Sequence, residues 1–128
     1  RFPMTSPDRS WLTKFRDAFR GLWVGVARQN SFIVHLLAAL AALVAALLLG
    51  VTPGKWCVLV IAITVVLVAE LFNTALEHMA KAVTEEHHAE IRDALDTAAA
   101  AVLVAAAGSV VAGMIVFVPD LLKLLAAD

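Results

Sequence analysis

Val68-Ala69-Glu70-Leu71-Phe72-Asn73-Thr74-Ala75-Leu76-Glu77-His78-Met79-Ala80-Lys81 is the stretch on which the reading of this chain turns. It continues an apolar run, Cys57 to Ala69, that holds no charged residue. At about 100° per residue, a helix puts Asn73 roughly 60° from Glu70, Glu77 about 20° away, and Lys81 about 20° to the other side. Two carboxylates, an amide and an amine then share one narrow stripe of an otherwise apolar helix. A charged side chain deep in a bilayer costs about 2.5 to 3.5 kcal/mol even on lenient insertion scales. A stripe of this kind therefore implies a partner or a reaction.

The surroundings say membrane. The chain has 128 residues, 62% of them hydrophobic, with a mean hydropathy of +0.88. A soluble domain is typically about 45–50% apolar. The length suits one domain. A formal net charge of −1 gives no bulk attraction to nucleic acid. Cys57 is the single cysteine, so no disulfide forms within the chain. Tyrosine is absent, which leaves Trp11, Trp23 and Trp56 as the bulky amphipathic aromatics for a membrane interface. The start at Arg1 leaves room for residues upstream. No cleavable signal peptide is expected, because the first apolar run follows a long charged segment.

Working outward, residues 1–9 contain two prolines and read as an irregular lead. Ser10 is a candidate N-cap. Trp11, Phe15, Ala18, Phe19, Leu22, Trp23 and Val26 recur at three- and four-residue spacing, with Lys14, Arg16, Asp17 and Arg20 between them. This predicts a basic amphipathic helix over 10–28, lying in the membrane surface. Spans are expected over about 32–51, 56–81 and 92–118, each near the 20 or so residues needed to cross a bilayer. Pro53-Gly54 punctuates the first turn. Val83 to Glu90 reads as a charged loop. Pro119 is expected to end the third span, leaving 120–128 as a tail. Eight of the ten basic residues fall on one side: Arg1, Arg9, Lys14, Arg16, Arg20, Arg28, Lys81 and Arg92, against Lys55 and Lys123. That bias places the N-terminus and the 82–91 loop in the cytoplasm. The stripe then opens as a polar notch beside the inner leaflet. Ala101, Ala105, Ser109 and Gly113 repeat every four residues on the third span, a spacing that lets backbones approach closely and suggests self-association.

Glu70-Leu71-Phe72-Asn73-Thr74-Ala75-Leu76-Glu77 resembles the signature of the small prokaryotic integral-membrane lipid kinases, the diacylglycerol kinase/undecaprenol kinase family. Asp96-Thr97-Ala98-Ala99-Ala100-Ala101-Val102-Leu103 is similar to that family's second block. Glu86-His87-His88 stands where the family has Glu, an aromatic residue and His. The resemblance covers residues 10–119. It implies an all-α integral-membrane protein, with a surface helix and three transmembrane helices, assembled as a homotrimer in the bacterial inner membrane. It implies transfer of the γ-phosphoryl of MgATP to a lipid alcohol of diacylglycerol or undecaprenol type. Glu70 would be the general base and Asn73 would orient the site. Glu77 would bind the Mg²⁺ of ATP, and Glu86, His88 and Asp96 would belong to the nucleotide region. No Walker-type glycine-rich loop is present, so helix side chains and the 82–92 loop must hold the nucleotide.

Three positions depart from the family pattern. Gln29 stands where the family has a second Mg²⁺-binding Glu. Lys81 stands in place of an Asp, and Leu95 in place of a Lys. Lys81 has two readings. It pairs with Glu77 four residues earlier, or it points at the ATP phosphates, which lysine commonly binds. The alternative to an active kinase is a silent relative, kept as a structural subunit of a larger membrane complex. His87 and His88 point about 100° apart on a helix and make poor co-ligands, so the Glu85–Glu90 segment reads as a solvated loop. His35, alone on its span, reads as a packed or hydrogen-bonded core residue. Asp93 reads as a partner for the helix dipole. Apolar spans touch many lipid tails alike and leave the acceptor lipid open.

Overall fold

The computed structural model describes residues 10–128, apart from the side chain of Arg28. The irregular lead expected over residues 1–9 lies outside the described residues, as do Arg1 and Arg9. Four helices follow in order: α1, Trp11–Arg28; α2, Asn30–Leu49; α3, Pro53–Val83; and α4, Ala89–Ala126. The fold is all-α among these residues, as expected.

Ser10 caps α1 by accepting from the Thr13 amide at 3.3 Å, satisfying one of the free N–H groups of a helix start. Trp11, Phe15, Phe19 and Trp23 are exposed along α1. Such rings on a surface-lying helix suit the headgroup boundary. The Lys14 ammonium sits 4.7 Å from the Trp11 ring centroid. At its far end α1 meets α3. Gly25 is buried, and a Cβ there would fall 2.6 Å from Leu71 Cδ2. The bare backbone is what lets the two helices approach.

Gln29 alone separates α1 from α2. Its extended backbone (φ −128°, ψ 112°) ends one helix and begins the next. α2 closes on Gly50 in the left-handed conformation (φ 61°), with Gly50 N–H to Leu47 O and Val51 N–H to Ala46 O, both 3.3 Å. That is a Schellman cap, which only glycine enters without strain. Pro53 occupies the first turn of α3, where its missing N–H costs nothing. α3 therefore begins three residues before the expected Trp56. α4 begins at Ala89, and the charged loop shortens to residues 84–88.

Pro119 does not end α4, contrary to expectation. The helix runs through it to Ala126. An interior proline forfeits one hydrogen bond and crowds the carbonyl four residues back, at about 3 kcal/mol. Neighbouring contacts offset this. Val116 is 1% exposed, Phe117 packs on the Ala46–Val51–Leu59–Val116 cluster, and Lys55 Nζ lies 2.9 Å from Asp120 Oδ1.

α2, α3 and α4 are each long and apolar enough to cross a membrane. α3 and α4 share the most extensive contact. Ser109 Oγ donates to Ala62 O across it at 3.1 Å. Ser109 of the small-residue stripe is thus engaged within the chain. Most apolar side chains nonetheless face outward, since only 11%, 22% and 6% of the three apolar windows are buried. Lipid or further protein must cover the rest.

Candidate active site

α3 has 31 residues, about 46 Å at 1.5 Å per residue, against a hydrocarbon core of about 30 Å. It is longer than a single crossing needs, and its last turns lead to the 84–88 loop. The polar stripe lies on this part, and Glu70, Asn73 and Glu77 do share a face.

Glu70 is 2% exposed and wedged against α2. His35 Nε2 stands 3.0 Å from Glu70 Oε1, and Ser31 Oγ donates to Oε2 at 3.3 Å. Ser31 and His35 are four apart, so one face of α2 meets both carboxylate oxygens. Two turns further along α3, Glu77 is met in the same way. Gln29 Nε2 donates to Oε2 at 2.8 Å and Asn73 Nδ2 to Oε1 at 3.0 Å. The extended Gln29 at the α1–α2 joint is what brings its side chain there.

Asn73, Glu77, Lys81, Glu86, His88 and Asp96 all line one cleft of about 690 Å³ between α3, the 84–88 loop and the start of α4. Every residue expected in the nucleotide region is thus gathered there. Glu70 is not among them. The notch expected to hold residues 70, 73 and 77 together is divided into a buried carboxylate and an open cleft, with Asn73 between. Lys81 makes no ion pair with Glu77 among the described residues, and both Glu77 oxygens face amide donors. Its exposed side chain lies on the cleft wall across from Leu95 and Arg92. Arg92 Nε approaches Asp96 Oδ2 at 3.8 Å, both side chains exposed. Among the described residues no three His, Cys, Asp or Glu side chains form a metal cluster, and His87 and His88 simply line the cleft.

Sequence reasoning gave Ser31 no role at the site. His35, expected as a packed or hydrogen-bonded core residue, is hydrogen-bonded to the buried carboxylate. The usable signal was Ser31 and His35 on one face of an apolar span. His35 also lines an apolar cavity of about 260 Å³ between α2, α3 and α4, with Ala38, Ala42, Leu59 and Ser109.

The family model described as prokaryotic diacylglycerol kinase matches residues 16–117. The chain belongs to this family. The chain is 34% identical over 123 residues to an undecaprenol kinase of Bacillus subtilis, covering 92% of this chain and all of that one. It is 36% identical over 115 residues to a diacylglycerol kinase of a Synechocystis species, covering 89% of this chain and 66% of that protein. This prokaryotic diacylglycerol kinase relative is accordingly an integral-membrane enzyme of a lipid-kinase family. Lys81 on α3 and Leu95 on α4 both line the cleft.

Proposed function

We propose that the chain transfers the γ-phosphoryl of MgATP to the hydroxyl of a membrane lipid alcohol of diacylglycerol or undecaprenol type. The observation that carries this is a buried carboxylate, Glu70, about 10 Å along the same helix face from Glu77 at the rim of a polar cleft. Phosphoryl transfer needs mostly positioning and charge neutralisation. The cleft offers both. Lys81 and Arg92 supply positive charge for phosphate oxygens, and Glu77 supplies a hard oxygen ligand. Mg²⁺ uses one or two carboxylates together with phosphate oxygens. Glu77 suits this, and Gln29 can join it by turning its amide oxygen toward the ion. When bound, the ion neutralises charge on the transferring phosphoryl group. Asn73, bonded to Glu77, holds that carboxylate in place. Glu86, His88 and Asp96 close the cleft around the nucleotide.

Glu70 takes the proton of the lipid hydroxyl. The hydroxyl oxygen then bonds to the γ-phosphorus as the bond to the ADP oxygen breaks. The apolar cavity beside His35 suits the hydrocarbon tail of the acceptor. The basic residues favour an N-terminus and an 84–88 loop on the cytoplasmic side of the bacterial inner membrane, where ATP is available. The uncovered apolar faces leave room for self-association, and the family resemblance implies a homotrimer.

Purified protein in detergent or lipid tests the reading. Labelled phosphate from MgATP should pass to diacylglycerol or undecaprenol, and Glu70→Gln should abolish transfer. Absence of transfer and of nucleotide binding, with stable copurification in a larger membrane complex, would leave a structural subunit instead.

A further inference from the structure

We infer that His35 is a positioning residue for Glu70: its Nε2–H anchors Oε1 and leaves Oε2 as the atom that takes the proton of the lipid hydroxyl. The inference rests on the kinase reading above. A carboxylate only accepts hydrogen bonds, so the 3.0 Å contact places a proton on His35 Nε2. The two oxygens of Glu70 are not held alike. On Oε1 sits a ring that is 24% exposed and set in the wall of the apolar cavity. On Oε2 sits the hydroxyl of Ser31, a longer contact at 3.3 Å from an exposed residue. A serine hydroxyl rotates freely and yields more readily than a packed imidazole. It is also the same functional group as the acceptor. The substrate hydroxyl therefore takes the place of Ser31 on Oε2 while His35 keeps the carboxylate from turning. Each carboxylate oxygen has about two lone-pair sites, so Oε1 can hold His35 throughout.

Steady-state kinetics on His35→Leu and His35→Gln test this, beside wild type and Glu70→Gln. Leucine removes the donor, and the glutamine amide restores one at a similar reach. The expected result for His35→Leu is a kcat lower by roughly 10- to 100-fold, the size of a misplaced reacting group. KM for MgATP should stay within about twofold, since His35 is not among the residues that line the nucleotide cleft. His35→Gln should recover most of the lost kcat. Unfolding midpoints taken on the same samples separate misfolding from misplacement. Wild-type kcat in His35→Leu, a loss confined to KM, or a glutamine variant no better than leucine would overturn the assignment. Wild type that phosphorylates no lipid alcohol overturns the kinase reading itself, and the positioning role with it. An active wild type with an indifferent His35 overturns the positioning role alone.

Discussion

Glu77 shows how two neighbours set what a carboxylate can do. Its oxygens face two amide nitrogens, from Gln29 at 2.8 Å and Asn73 at 3.0 Å. Both are neutral donors, and neither competes with a cation as an ammonium would. Gln29→Glu would replace a donor with a second carboxylate at hydrogen-bond range. Two carboxylates repel when alone and bind Mg²⁺ jointly when it is present. The expected outcome is a Mg²⁺ concentration for half-maximal activity lower by about tenfold, the size seen when a partner of a metal ligand is changed. Thermal stability without Mg²⁺ should fall. Magnesium titrations of activity and melting curves with and without the ion check both halves.

Among the elements, the contact of α1 with α3 is the most sensitive to side-chain size. Gly25 lies where a Cβ would come within 2.6 Å of Leu71 Cδ2. Leu71 adjoins Glu70, and α1 leads directly into Gln29, which holds Glu77. Gly25→Leu should push the two helices apart and lower stability by about 1–3 kcal/mol, as overpacking does. It should also loosen the Gln29–Glu77 bond and reduce activity, while Gly21→Leu, at a position with open space around its Cβ, should leave both unchanged. Denaturant midpoints and transfer rates of the two variants make the comparison. The same scale explains Pro119. Local propensity argues for a helix end there. Burial of Val116, packing of the partly buried Phe117 and the Lys55–Asp120 pair carry the helix past it.

For the whole molecule, the bilayer replaces an aqueous core. The three apolar helices bury little of themselves in one another, so they depend on lipid or on further copies for cover. Their connections alternate sides. Residues 50–52 and residues 84–88 lie at opposite ends of α3. Because the chain has one cysteine, a Cys57→Ala background permits single-site labelling. Thr52→Cys should react with a membrane-impermeant maleimide on intact cells. Glu85→Cys should react only after permeabilisation. The opposite pattern would overturn the proposed orientation and place the cleft away from ATP.

Much of this was written in local spacing. The stripe at 70, 73 and 77, the surface helix capped by Ser10, and three apolar spans follow from helical period and side-chain polarity. Both act within a few residues and require no knowledge of the partner helix. Packing between distant segments decided the rest. Glu70 meets Ser31 across 39 positions and Glu77 meets Gln29 across 48. Whether such pairs touch depends on how α2 docks on α3, which no short window of sequence contains. The same docking buries Glu70 and leaves Glu77 at an open cleft, although both are glutamates on one face of one helix.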